Sequence, residues 1–494
     1  MKRTSTRNRV ERDSMGEMTV PSHVLYGATT QRAVLNFPVS GRPVPPEIIH
    51  AFALLKRACA EANRQLGKLD ARRAKLIVKA CDEIALAMEG AKTSLGEDRR
   101  EAMEHFPIDV FQTGSGTSTN MNVNEVVANL CAKRAGKKTG SRDDADGVHP
   151  NDHVNMGQSS NDTFPTAMQV AAAAAIDGKL IPALKALHKA LAAKAEQWDG
   201  ITKIGRTHLM DATPIRLGQE FSGYAAAAEY CVIRAGRAMR RLAENLSVGG
   251  TAVGTGINTH PEFGAMVSKR IARRTKIGFE EAPNHFEAQG TRDCIVEAGG
   301  HLKTIAVALT KIAGDIRLLG SGPRCGLFEL SLPATQPGSS IMPGKVNPVI
   351  CESVMQVACQ VIGNDSAITT GGLGGVGGLL ELNVAMPMMA DNLVESVNLL
   401  ANASHMFAGK CIDGLEVNRE TAEGMVGKSL MMCTSLAPEI GYDKAAEVAK
   451  NALRTGRTVR EQVLEMKLID PEKLDALLDA RSMTEPGGKG AGGG

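Results

Sequence analysis

Leu180-Ile-Pro-Ala-Leu-Lys-Ala-Leu-His-Lys-Ala-Leu191 sets leucines at 180, 184, 187 and 191, steps of four, three and four inside an Ala-rich run from Pro165 to about residue 197. Such steps return to one face of a helix, so the stretch predicts a long amphipathic helix. Similar runs at about 214–246, 288–319, 349–369 and 386–412, separated by Gly or Pro, predict four more. Five long helices with few strand signals make a bundle. Alanine is nearly continuous in Ala171–Ala175 and Ala225–Ala228, so these helices are expected to be buried on more than one side. Copies of the same chain are the simplest cover, which predicts a symmetric homo-oligomer.

Composition agrees with a mainly α chain of enzyme size. The 494 residues are 43% apolar but only 3% aromatic, so cores must be built from Ala, Leu, Val, Ile and Met, which favours close-packed helices over a β-sandwich. Net charge is +3, and residues 1–13 carry five basic and two acidic groups, leaving the remainder formally neutral. That balance offers no basic face to nucleic acid. The ten cysteines form no C-x-x-C pair and no metal-ligand spacing, and read as reduced thiols. With no apolar run of membrane-spanning length and no secretory signal, a soluble cytoplasmic protein is expected.

Three segments follow from the changes of character along the chain. Residues 1–157 form a mixed, mostly helical domain, with a disordered tail over 1–13, an irregular or short-stranded stretch over 14–48, and helices at 47–66 and 70–91. Residues 158–416 form the central helical-bundle domain, and 417–494 a small charged helical domain with a flexible Gly-rich end.

The most chemically loaded stretch is Pro337-Gly-Ser-Ser-Ile-Met-Pro-Gly-Lys-Val-Asn-Pro348. Gly338 and Gly344 open φ values closed to other residues while three prolines fix φ, so Ser339, Ser340, Lys345 and Asn347 can converge on an anion. A phosphate-binding P-loop is disfavoured, because five residues separate Gly338 from Gly344 and Val346 replaces the required Ser/Thr. Thr113-Gly-Ser-Gly-Thr117, followed by Asn120, Asn122 and Asn124, suits either a carboxylate at a helix N-terminus or a plain cap-and-turn cluster. His149-Pro-Asn-Asp-His-Val-Asn155 and Gln158-Ser-Ser-Asn-Asp162 add amides and hydroxyls that must face solvent, each other or a polar substrate. Gly205-Arg-Thr-His208 places a histidine in a polar turn just before a helix, where it could carry protons with a carboxylate such as Glu352 to orient it.

These segments together resemble the fumarase/aspartase superfamily, and within it the iron-independent class II fumarases. The likeness runs from Gly27-Ala-Thr-Thr-Gln-Arg32 to Gly441-Tyr-Asp-Lys-Ala-Ala446, and takes in Gly249-Gly-Thr-Ala-Val-Gly-Thr-Gly256 and Glu381-Leu-Asn383. His208, Ser160 and Gly344 are fumarase-like, where aspartate ammonia-lyases usually carry Gln and often Thr and Ala.

The resemblance implies reversible hydration of fumarate to L-malate, with no metal or organic cofactor. It also implies a homotetramer whose core is the central bundle and whose active sites draw on three subunits. Ser339 is then the base for the C3 proton, and Lys345 and Asn347 stabilise the aci-carboxylate intermediate. His208, oriented by Glu352, serves the C2 hydroxyl. Substrate carboxylates are expected on Ser115, Gly116, Thr117, Ser159, Ser160, Asn161, Thr207, Ser340, Lys345, Val346 and Asn347. His149, Pro150, Asn151 and Asp152 match a second, peripheral dicarboxylate site, although Asp146 stands where some members place Arg. The competing readings are an aspartate ammonia-lyase and a non-catalytic structural relative.

Overall fold

A computed structural model describes residues 7–141 and 147–486, and these are mainly helical. The chain opens on a hairpin of β1 (Asn8–Asp13) and β2 (Gly16–Pro21), followed by α1 (Ala28–Asn36), α2 (Pro46–Gln65), α3 (Ala71–Met88) and the short α4 (Arg99–Ala102). Then come α5 (Thr117–Arg134), α6 (Ser160–Ala175) and α7 (Ile181–Gln197), the hairpin β3 (Thr202–Thr207) and β4 (Met210–Arg216), and α8 (Leu217–Ala243). Next are α9 (Phe263–Thr275), α10 (His285–Gly290), α11 (Asp293–Leu319), the two-residue β5 (Leu330–Ser331) and α12 (Val349–Gly372). A small hairpin, β6 (Gly378–Leu379) and β7 (Leu382–Asn383), leads to α13 (Met386–Phe407). After it, β8 (Glu416–Val417) pairs with β5, and short helices fill the remainder.

The chain divides into two compact units. The first comprises Met1–Ile181, Ile233–Ala306 and Cys359–Leu400; the second comprises Pro182–Val232, Val307–Ala358 and Ala401–Gly494. In the first unit α2 packs its apolar face (Ile48, Phe52, Leu55, Cys59) against α3, α6 and α9, with Phe52 and Phe164 ring centroids 5.8 Å apart. Pro46 at its first position and Glu47 in its first turn start that helix. Asp70 starts α3 by accepting from the Arg73 N–H at 2.9 Å. In the second unit, Ile204 of β3 shares one apolar cluster with Met432, Leu436, Val448, Val463 and Leu474 from the last part of the chain. Among the described residues no helix is long and apolar enough to cross a membrane.

Several expectations are corrected. Residues 8–13, expected as part of a disordered tail, form β1, because their charges are clamps: Arg9 donates to the carbonyls of Pro21, Val24 and Tyr26 and to Glu11, and Arg32 pairs with Asp13 at 2.8 Å. Residues 1–6 and the Gly-rich end from 487 lie outside the described residues. The helix expected over 165–197 is interrupted by a π-turn at Ile176–Leu180, where the Ile181 N–H bonds the Ile176 carbonyl five residues back. Pro182 follows with no N–H to continue the ordinary ladder. The helix expected from 214 begins at Leu217, since residues up to Arg216 are held in β4. A register shift at Gly205 marks a bulge in its partner, where a Cβ would come within 2.8 Å of the Thr213 carbonyl.

Candidate active site

In the first unit two helix N-termini meet through side chains. Thr117 is the first residue of α5 and Ser160 the first of α6; their hydroxyl oxygens are 2.6 Å apart, and Ser115 Oγ lies 2.8 Å from Thr117 Oγ1. The residue before Thr117, Gly116, has φ +72°, and a Cβ there would overlap the Phe164 ring, so only glycine fits the turn. Gly116 has no side chain to cap α5, and of the first-turn N–H groups Gln112 Oε1 accepts only that of Thr119, at 3.0 Å, which leaves the Thr117 and Ser118 N–H groups and the positive end of the helix dipole beside three hydroxyls, a setting that suits a carboxylate. Asn161 donates to the Ala252 carbonyl at 2.8 Å. Ser159, expected to hold substrate, is the N-cap of α6: it accepts from the Asn161 N–H, while its own N–H donates to Asp162, and its hydroxyl hydrogen is left to donate elsewhere.

Behind this cluster lie groups that sequence reasoning missed. Asp162 is fully buried and accepts from the N–H groups of Ser159, Gly249 and Thr251, which ties the 249–256 loop to α6; burial raises its pKa to about 6. Lys56 is equally buried and donates to Asn120, Asn155 and Gln158. Its signal in the sequence was periodic, since Phe52, Lys56, Cys59 and Asn63 fall at steps of four, three and four on the buried face of α2.

The expected second anion site is a single π-turn, Pro150–Val154. His149 Nδ1 accepts from the N–H groups of Asn151 and Asp152 at 3.3 and 3.2 Å, so the amides that could meet an anion already have a partner. Asn151 and Asp152 are exposed and Pro150 is buried. Asp146 lies outside the described residues.

In the second unit Ser339 sits in a loop closed on itself. Its Oγ accepts from the N–H groups of Ile341 (3.2 Å) and Met342 (3.0 Å). The Gly338 N–H bonds the Lys345 carbonyl at 2.8 Å, and Asn347 Nδ2 donates to the Gly338 carbonyl at 2.6 Å. A Cβ on Gly338 would come within 2.5 Å of that Lys345 oxygen, and Gly344 turns at φ +81°. The loop borders a cleft of about 440 Å³ whose lining includes Thr335, Pro337, Ser339, Lys345 and Val346. Two N–H donors on a hydroxyl oxygen stabilise negative charge there, and a nearby ammonium adds to the effect. Ser340 and Lys345 are exposed.

His208 is not in a turn before a helix. With Leu209 it forms the two-residue tip of the β3–β4 hairpin, at φ +56° and +63°, the left-handed pair that type I′ turns require and that glycine and asparagine usually fill. Holding two such side chains there costs about 1 kcal/mol or more each, strain of a kind that clusters at functional sites. The hairpin is anchored by buried charges, with Glu329 pairing Lys203 at 3.0 Å and Arg206 at 2.6 Å. Thr207 and His208 are exposed, and among the described residues His208 and Glu352 share no ion pair or hydrogen bond. Among the described residues no group of three or more His, Cys, Asp or Glu is placed to hold a metal ion.

Residues 16–363 match a family described as Lyase, and residues 432–485 match one described as Fumarase C C-terminus. Among curated relatives, the class II fumarate hydratase of Corynebacterium glutamicum is 51% identical over 481 residues, 96% of each chain. The mitochondrial fumarate hydratase of Danio rerio is 48% identical over 480 residues, 97% of this chain and 90% of that one. Among solved structures, the class II fumarase of Schistosoma mansoni superposes with a TM-score of 0.91 at 38% identity, covering 97% of this chain and all of that one.

Proposed function

The chain belongs to the lyase family that contains the class II fumarate hydratases, and from that membership we propose that it interconverts fumarate and L-malate with Ser339 and His208 as its proton-transfer groups. The observation that carries the reading is the Ser339 hydroxyl oxygen held by two backbone N–H groups in the loop that also bears Lys345.

In the dehydration direction Ser339, as the alkoxide, takes the C3 proton of L-malate and the C3 electron pair moves into the adjoining carboxylate. The resulting dianion is stabilised by Lys345 and by loop N–H groups. His208 then delivers a proton to the C2 hydroxyl through a water, C2–O breaks, and the electron pair returns to form the double bond. Glu352 orients His208 and balances its charge. Ser115, Thr117, Ser160 and Asn161 anchor substrate carboxylates, with Gly116 shaping the turn beneath them. Thr207, Ser340, Val346 and Asn347 are the remaining substrate-binding residues of the proposal. A preorganised donor set of this kind carries most of the work, since acid/base catalysis alone gives about 10²–10⁴-fold.

The proposal includes a cytoplasmic homotetramer in which His208 meets the Glu352 of another copy, and the succession of domains 1–157, 158–416 and 417–494. Its support is the apolar surface on the long helices: Tyr230 and Ile233 on α8 are 57% and 44% exposed, and Val307 on α11 is 55% exposed. Ser339→Ala and His208→Asn are each expected to lower malate/fumarate interconversion by at least about 10²-fold. Full activity in either variant removes that residue from the mechanism, and release of fumarate from L-aspartate instead would make the chain an ammonia-lyase.

A further inference from the structure

Lys56 is a buried ammonium without a carboxylate partner. It is 0% exposed, and its three hydrogens go to three amide oxygens: Asn120 Oδ1 at 2.7 Å, Asn155 Oδ1 at 2.9 Å and Gln158 Oε1 at 2.9 Å. No carboxylate lies within ion-pair distance of it among the described residues. An isolated buried charge costs several kcal/mol unless something balances it, and neutral amides solvate the ammonium without neutralising it.

Its three partners come from the segments that carry the carboxylate cluster. Asn120 lies three residues after Thr117 in the first turn of α5, and Gln158 two residues before Ser160 at the start of α6. Asn155 ends the π-turn that follows His149. Asn155 is drawn in further by the amides of Asn120 and Asn124, each at 3.2 Å. One ammonium thus fixes the separation of the two helix starts whose hydroxyls are 2.6 Å apart.

Resting on the fumarate hydratase reading above, the geometry points to Lys56 as a positioning residue for the reaction: it holds the first turns of α5 and α6 at the spacing a dicarboxylate requires, and supplies the fixed positive charge behind them. Asp162, whose charge acts on Lys56 without a direct ion pair, balances part of it, and the dianionic substrate adds further counter-charge. Lys56 acts through Thr117 and Ser160, so its loss weakens binding of substrate more than turnover.

Burial lowers the Lys56 pKa to about 8, so its charge is lost within a range that kinetics can reach. The titratable groups facing it are Cys59 on α2, Cys81 on α3 and Asp162 on α6; α5 and the π-turn present only amides, and the charge of Arg270 on α9 acts on Cys59. Burial drives both thiols upward, so they stay neutral, and Asp162 is ionised above about 6. Between about 7 and 9 the change of charge in this cluster is therefore that of Lys56.

The test is Lys56→Met beside Lys56→Arg in the full-length protein, read as KM and kcat for L-malate, calorimetric Kd for L-malate, and melting temperature. Lys56→Met is expected to raise KM and Kd roughly tenfold or more, as loss of charge-assisted hydrogen bonds implies, with kcat within about threefold of wild type. Lys56→Arg should recover part of the loss. Wild-type Kd should weaken as pH rises through about 8, and the Lys56→Met Kd should not. Unchanged Kd in a folded Lys56→Met, or a wild-type Kd flat from about pH 7 to 9, overturns the assignment. If Lys56→Met does not fold, Lys56→Arg and the wild-type profile still decide it. Wild-type protein that binds L-malate without converting it sinks the hydratase reading alone, and the Kd series then tests Lys56 independently.

Discussion

In the first unit Thr117 and Ser160 are fixed from behind: Asp162, Lys56, Asn120 and Gln158 are buried or half-buried, and each binds groups from more than one element. In the second unit Ser339 is held by its own loop, closed by Gly338, Lys345 and Asn347, and His208 sits at the tip of a hairpin whose strands are anchored on Glu329, with Thr207, His208, Ile341 and Lys345 exposed. The proposed carboxylate anchors are thus part of a core, whereas the proposed proton-transfer groups sit on a loop and a hairpin tip at a surface. Damage to the anchors should appear first as lost stability, and damage to the loop as lost turnover with the fold intact.

The largest separation is expected from one pair of glycine substitutions. Gly116→Ala forces a Cβ into the Phe164 ring at φ +72°, in a place where α5 and α6 leave no room. The strain of a left-handed alanine together with overpacking is expected to cost about 2–5 kcal/mol, read as a fall in the urea midpoint. Gly338→Ala meets the Lys345 carbonyl, but its loop can open toward solvent. Its midpoint should stay close to wild type while kcat falls. Equal destabilisation by both substitutions would mean that the two regions do not differ as their burial suggests.

The same contrast explains which elements are legible in the sequence. Helices α2, α3 and α12 follow apolar spacing, which burial on one face imposes directly on the sequence, and they lie close to where periodicity puts them. The Ser339 loop was legible because Gly and Pro restrict the backbone in ways specific to residue type. The hairpin under His208 was not, because positive φ at His and Leu is imposed by strands anchored on Glu329, far away in sequence. Lys56 was hidden for a similar reason: its meaning depends on three amides 64, 99 and 102 residues away. The capping role of Ser159 was hidden because a capping hydroxyl and a binding hydroxyl are the same residue type.

A second prediction concerns acid. His105 in the first unit is buried, accepting the Leu25 N–H on Nδ1 at 3.1 Å and lying 3.0 Å from the Leu95 carbonyl on Nε2, a pairing that fits the neutral ring with its proton on Nε2. Burial lowers its pKa from 6.5 to about 4. Because the folded value is depressed, the unfolded chain binds the extra proton first. The stability from this group is complete above 6.5 and is lost as pH falls toward 4, by about 3 kcal/mol in all. His105→Gln should flatten that part of the stability profile, as followed by urea unfolding at several pH values. A variant with the wild-type slope would place the acid sensitivity elsewhere.

The smallest expected effect on stability is at Asn347, where the question is whether the loop's own tie matters to chemistry. Its Nδ2 bond to the Gly338 carbonyl closes an exposed loop, so Asn347→Ala should cost no more than about 1 kcal/mol. Without it Gly338 is still held by the Lys345 carbonyl, but the chain on either side of Ser339 gains freedom, and the two N–H groups aimed at Ser339 Oγ lose part of their preorganisation. Turnover is expected to fall roughly tenfold, with KM changed less, because the donors matter most when charge develops. Asn347→Asp should be worse than Asn347→Ala at neutral pH, since a carboxylate there faces the Gly338 carbonyl oxygen and adds negative charge beside the forming dianion. Steady-state kinetics on the two variants separate the cases: if aspartate is tolerated as well as alanine, Asn347 only fills space, and the rigidity of the loop rests on its glycines and prolines.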